Sequence, residues 1–201
     1  MIKSIIFYKL FFFCQLIHAQ IDVEFYNQGI ANDANGNREK AVIAYTKAIE
    51  LNPIYVKAYF YRGCDQLILG NQVEAIADFT KAISLDEKME DAYYYRGNAK
   101  LDLGDFRDAL SDYNSSIALK PDQAGEFYNR GLAKYRLDDF KGAIADYNKS
   151  IALQPDYAAS YYNRGVARLK LKDKKGACLD WSKAGELGER LAYDLIKNYC
   201  N

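Results

Sequence analysis

The chain has 201 residues, half of them hydrophobic and 27% charged, with three prolines, which sets it apart from disordered and collagen-like sequences. Its 27 basic and 27 acidic residues cancel. Neutralising phosphates takes a basic stripe, so nucleic acid is not an expected partner.

Residues 1–19 have the pattern of a secretory signal peptide. Lys3 and Lys9 lie near the start, an apolar run follows from Leu10 to Ile17, and Ala19 is small enough for a cut between Ala19 and Gln20. The run is far shorter than the roughly 20 residues that span a bilayer, so no integral membrane segment is expected after cleavage. Cys14 follows Phe12 and Phe13 rather than small residues, which argues against lipid attachment. A periplasmic or secreted protein is therefore expected, in a compartment that permits disulfides. Cys178 and Cys200 fall on neighbouring predicted helices at the C-terminal end. They are either a bridge that staples the last helix or two buried thiols. Cys64 is the odd thiol.

From residue 22 onward one unit repeats. Gly29, Gly63, Gly97, Gly131 and Gly165 recur at one fixed interval, and five glycines in one register describe a stack of identical modules. The units run 22–55, 56–89, 90–123, 124–157 and 158–191. Each holds two stretches with the three-to-four spacing of an amphipathic helix, such as Phe127, Tyr128, Leu132 and Tyr135, then Ile144, Tyr147 and Ile151. Leu103-Gly104-Asp105-Phe106 reads as a helix stop followed by a start. Pro53, Pro121 and Pro155 close second helices. Glycine inside a helix costs about 1 kcal/mol against alanine, so its recurrence implies a close approach where no Cβ fits. Ala41, Ala75, Ala109, Ala143 and Ala177 recur for the same reason, and Tyr45, Phe79, Tyr113, Tyr147 and Trp181 fill the remaining space. Residues 191–201 form a further helix that caps the open end of the fifth unit, as a stack requires.

Two features depart from strict repetition. Asp65 stands where other units have Ala31, Ala99, Ala133 and Ala167. Units two to five carry Arg62, Arg96, Arg130 and Arg164 before the glycine and Asp78, Asp112, Asp146 and Asp180 in the second helix, whereas the first unit has Gln28 and Ala44. This correlation predicts an Arg–Asp pair between the two helices of each of those units, setting their register. Exchanging Arg130 and Asp146 is then expected to restore what either single change loses.

Glycine, alanine twelve residues on, an aromatic four later, then a small residue and proline together resemble the tetratricopeptide repeat over residues 22–191. The resemblance implies an all-α, right-handed superhelical solenoid of helix-turn-helix units. The His18-Ala19-Gln20 ending of the leader resembles exported proteins of Bacteroidota-type bacteria. In the family the first helices line a concave groove. That places Tyr26, Phe60, Tyr94, Tyr128 and Tyr162 on it as fifth positions, with Asn27, Tyr61, Tyr95, Asn129 and Asn163 as sixth positions. Asn98 is at a ninth position and Tyr135 at a twelfth. Tyrosines give large contact area at small entropic cost, and amides can bond a peptide backbone. Phe25, Tyr59, Tyr93, Phe127 and Tyr161 are expected to pack unit against unit instead. The resemblance implies a scaffold that binds a peptide or protein segment without catalysis. A carbohydrate-binding envelope protein is the alternative, because aromatics flanked by amides also suit sugar rings.

Catalytic and cofactor motifs are missing. His18, in the leader, is the one histidine. No glycine-rich phosphate loop and no Cys/His set with zinc spacing occurs, so neither an enzyme nor a cofactor is expected. Asp102, Asp105 and Asp108 lack the alternating ligands of a calcium loop.

Overall fold

The computed structural model describes residues 20–200. The expected leader, with Cys14 and His18, lies outside the described residues. Those described are helices joined by short turns: α1 (helical over 20–34), α2 (Arg38–Leu51), α3 (Val56–Ile68), α4 (Gln72–Leu85), α5 (Glu90–Leu103), α6 (Phe106–Leu119), α7 (Ala124–Arg136), α8 (Phe140–Leu153), α9 (Ala158–Lys170), α10 (Lys174–Glu186) and α11 (Leu191–Tyr199). Odd-numbered helices up to α9 carry the repeating glycine, and the even-numbered helices carry the repeating aromatic.

The turn inside each pair has one residue in the left-handed region. Gly36, Gly70 and Gly104 fill that slot in the first three pairs, at φ 74°, 82° and 86°, while Asp138 and Lys172 fill it in the last two, at φ 61° and 66°. Glycine takes this conformation without steric cost and the other two do not. The turns between pairs need no proline. Pro53, Pro121 and Pro155 each follow a helix end by two residues, and α4 ends just as abruptly at Leu85 with Glu87 in the equivalent place.

The chain divides into two compact units, the first ending at Tyr95 and the second beginning at Arg96, within α5. In the N-terminal unit, Ala48, Ile49 and Ala58 gather with Phe25, Tyr26, Tyr55 and Tyr59. A larger cluster joins Phe60, Ala75, Phe79, Ala82, Ile83 and Ala92. In the C-terminal unit, Ala143, Tyr147 and Ala167 pack with Tyr128, Tyr135 and Ile144, and Ala177, Trp181, Ala184 and Ala192 with Tyr161, Tyr162, Leu195 and Ile196. Each cluster spans two or more helices, so no helix pair buries its apolar face alone. Of the residues expected to pack unit against unit, Phe127 is buried and Phe25, Tyr59, Tyr93 and Tyr161 are half-buried.

The space left by each repeating glycine is taken by the aromatic sixteen residues on. A Cβ added at Gly29, Gly63, Gly97 or Gly131 would fall within 3.0 Å of the ring of Tyr45, Phe79, Tyr113 or Tyr147. At Gly165 it would lie 2.6 Å from Trp181 Nε1.

Helix α11 lies on α10. Ala192 is buried against Trp181 and Ala184, the Tyr199 ring sits 5.9 Å from that of Trp181, and Tyr193 Oη donates to Gly185 O at 3.2 Å. Leu191 is 60% exposed, so the buried face of α11 begins at Ala192.

Candidate binding site

In the N-terminal unit the fifth-position aromatics lean on the aromatic of their own pair. Tyr26 lies 5.9 Å from Tyr45 between ring centroids, and Phe60 lies 5.9 Å from Phe79. The sixth-position tyrosines stack instead on the aromatic of the pair before. Tyr61 stacks on Tyr45 at 6.2 Å and Tyr95 on Phe79 at 6.0 Å. Phe60 is thereby enclosed, with Tyr95 edge-on at 5.8 Å, and is only 8% exposed. The expectation that Phe60 faces a ligand is corrected: it is a core residue, because rings meet it from both neighbouring helices. Tyr26, Tyr61, Tyr94 and Tyr95 are half-buried and Asn27 is exposed. Tyr94 meets Tyr95 edge-on at 5.2 Å.

In the C-terminal unit amides take over from the stacked tyrosines. Asn98 Oδ1 accepts from Tyr113 Oη at 2.8 Å and from Asn129 Nδ2 at 2.9 Å. Asn163 Nδ2 donates to Tyr128 Oη and to Ala159 O, both at 3.1 Å. Asn129 and Asn163 thus spend amide donors on the chain's own first helices, while Asn98 is engaged through its acceptor oxygen. The rings of Tyr128, Tyr135 and Tyr162 are half-buried. Burial, with the Tyr61 and Tyr55 hydroxyls adding to it, pushes Tyr26 up to about 12. Burial and Tyr157 push Tyr128 up to about 12 against the opposing bond from Asn163. Burial likewise raises Tyr95 and Tyr162, so these tyrosines stay neutral near pH 7.

The arginines hold the helices of this face. Arg62, Arg96, Arg130 and Arg164 each grip Asp78, Asp112, Asp146 and Asp180 through two parallel bonds of 2.6–3.0 Å. Two further partners go beyond the Arg–Asp pair expected from the sequence. The third guanidinium nitrogen reaches the previous pair sixteen residues back: Arg62 to Thr46 at 3.0 Å, Arg130 to Asn114 at 2.8 Å and Arg164 to Asn148 at 2.6 Å. A second cation four residues on also meets the carboxylate, Lys100 on Asp112, Lys134 on Asp146 and Arg168 on Asp180. The signal for the latter was present as the Arg-x-x-x-Lys/Arg spacing. Arg62, Arg130 and Arg164 also lie over the rings of Tyr59, Phe127 and Tyr161 at 5.3–5.7 Å.

Asp65 is buried, 2% exposed. Arg38 Nε is 3.9 Å from its Oδ1, and a second contact of 3.9 Å joins Arg38 to Asp33. Asp65 Oδ2, Arg38 Nε and Tyr45 Oη are buried without a hydrogen-bond partner. Desolvation and the Asp33 carboxylate raise Asp65 to about 7, against the pull of Arg38. The neighbouring Cys64 thiol is pushed up to about 12 by burial and by Asp65, Asp91 and Asp33.

Cys178 and Cys200 are joined in a disulfide with Cα atoms 5.7 Å apart, which ties the end of α11 to α10. Among the described residues no cluster of His, Cys, Asp and Glu could hold a metal ion, and no helix is long and apolar enough to cross a membrane.

Models of the tetratricopeptide repeat match residues 25–55 and 99–160. The crystal structure of MamA is 26% identical, with 82% of this chain and 96% of that one covered at a TM-score of 0.77. MamA residues 41 to the end from Desulfovibrio magneticus RS-1 are 21% identical, with 83% and 94% covered at 0.80. YrrB, described as a TPR protein with an unusual peptide-binding site, is 21% identical, with 86% and 90% covered at 0.78. No curated protein matches the chain. The two matched stretches carry tetratricopeptide repeats, and the all-α fold of helix pairs in series is that of these structures.

Proposed function

We propose that this tetratricopeptide-repeat chain is a non-catalytic scaffold that takes a peptide or protein segment against the first helices of its pairs. The observation that carries the reading is the row of half-buried tyrosines: Tyr26, Tyr61 and Tyr94 in the N-terminal unit, Tyr128 and Tyr162 in the C-terminal unit. Such rings offer a rigid apolar body with a polar tip, and they are fixed in place before a ligand arrives, which lowers the entropic cost of binding. YrrB, of the same fold, is described as having a peptide-binding site, which agrees with this reading. Cys64, the one free thiol described, is a poor nucleophile because its thiol is held well above neutral pH.

The same proposal places the protein outside the cytoplasm, after cleavage between Ala19 and Gln20. The disulfide supports an oxidising compartment, and N-terminal sequencing of the protein from its native host tests the cut.

Groove binding is tested by selecting peptides from a displayed library on the full chain. The photoreactive residue p-benzoylphenylalanine is placed at Tyr94, at Tyr162 and, as a control, at exposed Ser111 on α6. Selected peptides are expected to cross-link from the two tyrosine positions and not from Ser111. Cross-linking from Ser111 alone, or binding to a polysaccharide array with no peptide selected, overturns the reading.

A further inference from the structure

The turn between α9 and α10 differs from the four equivalent turns. Residues 170–175 read Lys-Leu-Lys-Asp-Lys-Lys, four lysines against one aspartate, whereas 34–39 and 136–141 balance their charges, 68–73 carries none and 102–107 is acidic. The one aspartate is committed elsewhere. Asp173 caps α10 by accepting from Gly176 N at 2.8 Å and lies 3.8 Å from Arg168. The lysines are exposed and take no ion pair among the described residues. Beside them, on the solvent face of α10, is an open cavity of about 470 Å³ lined by Lys174, Lys175, Cys178, Leu179, Ser182 and Cys200. Its wall is the disulfide, which holds the end of α11 in place. Leu179 is 64% exposed there, while Trp181 on the buried face of the same helix is fully covered.

We propose that this recess is a second docking site, separate from the tyrosine face, for an acidic protein segment that inserts one apolar side chain beside Leu179. Charge and shape both enter the choice of partner. The lysines supply uncompensated positive charge at the rim, and the recess accepts a side chain, whereas a flat bilayer surface meets protruding residues rather than a concave pocket. The disulfide keeps the recess preformed, so little ordering is needed on binding. Leu179, 64% exposed in the free chain, gains apolar cover on binding.

The test uses the full oxidised chain and fluorescein-labelled octapeptides in which seven glutamates surround one leucine or tryptophan. Anisotropy is read with the wild type, with Lys174→Gln/Lys175→Gln and with Leu179→Ser, all at exposed positions and each first shown to melt like the wild type. Binding is expected to weaken about tenfold in the charge variant, from the loss of two exposed charge pairs, and about tenfold in Leu179→Ser. It is also expected to fall with salt and to be lost when alanine replaces the apolar residue. The proposal is overturned if neither peptide binds at millimolar concentration, or if both variants bind as well as the wild type. It is equally overturned if mixed phosphatidylcholine–phosphatidylglycerol vesicles, or a second copy of the chain in sedimentation, occupy the lysines while the peptides do not.

Discussion

A Cβ built on Gly131 would lie 2.7 Å from Cε1 of Tyr147, so the mid-helix glycine of α7 is the seat of a buried ring on α8. The ring is fully enclosed and cannot swing away without displacing other core groups. Gly131→Ala is therefore expected to destabilise by about 1–3 kcal/mol through overpacking, although alanine is the better helix former by about 1 kcal/mol. Equilibrium denaturation of Gly131→Ala, Tyr147→Leu and the double variant checks this. The two costs should add to more than the double variant shows, because the shorter side chain makes room for the methyl group.

Removing Arg130 strands Asp146, which is buried, beside Lys134 alone. Arg130→Ala should cost on the order of 3 kcal/mol, as expected for breaking a buried pair. The exchange of Arg130 and Asp146 should not restore stability, contrary to the expectation from a simple pair. A guanidinium at position 146 would face Lys134, now 2.7 Å from the carboxylate, and a carboxylate at 130 would meet the Asn114 oxygen, now an acceptor at 2.8 Å. Full recovery in a thermal melt of the exchanged protein would show that the lysine and the amide contribute nothing.

The repeat register, the helix pairs and the Arg–Asp correlation were legible because each rests on residues at one fixed spacing. The burial of Phe60 was not. It shares a repeat position with the half-exposed Tyr94, and its enclosure comes from Tyr95 and Phe79 on the next helices. Nor was the use of Asn98, Asn129 and Asn163. Their bonds run between successive first helices, 31 residues apart for Asn129 to Asn98 and 35 for Asn163 to Tyr128, and no pattern in the sequence announces which amide will turn inward. Asp65 did stand out, as a carboxylate in an alanine slot, but the Arg38 and Asp33 groups beside it are not at repeating positions.

Asp65 gives stability a pH dependence of defined sign. Its folded value, about 7, is above the ordinary 3.8, so the folded chain holds this proton more tightly than the unfolded chain. The contribution is complete below about pH 4 and is lost as pH rises to and through 7. Thermal melts should therefore show the N-terminal unit losing stability between pH 5 and pH 8. Asp65→Ala, which restores the residue found in the other pairs, should remove that loss and raise the midpoint at pH 8. A pH profile unchanged by the substitution would refute the assignment.

Asp138 and Lys172 hold left-handed backbone where the first three pairs use glycine. Asp138→Gly and Lys172→Gly should each stabilise the chain by up to about 1 kcal/mol, less whatever the unfolded chain gains in freedom. Urea midpoints measure the effect, and a loss of stability in both would show that the side chains hold these turns through other contacts.

Reducing the Cys178–Cys200 bridge should loosen α11 first. Loops of comparable length contribute about 3 kcal/mol when closed, and this one has a separation of 22 residues. Amide exchange in α11 should accelerate on reduction while α7 and α8 keep their protection. Uniform loosening of all helices would mean that the cap holds the whole C-terminal unit together.

The arginine clamp has a direction. The guanidinium groups of Arg62, Arg130 and Arg164 reach back to the pair before their own, Arg62 to Thr46, Arg130 to Asn114 and Arg164 to Asn148, while the first pair has Gln28 in the arginine's place. One module thus carries its own plug at one end and a socket at the other. A second copy of residues 124–157 spliced in after residue 157 would find Asn148 waiting for its arginine, and would present its own copy of Asn148 to Arg164. Such an insertion would keep the clamp in register from one module to the next, and the first described pair, with a socket in Thr46 and no plug, supplies the acceptor without the arginine.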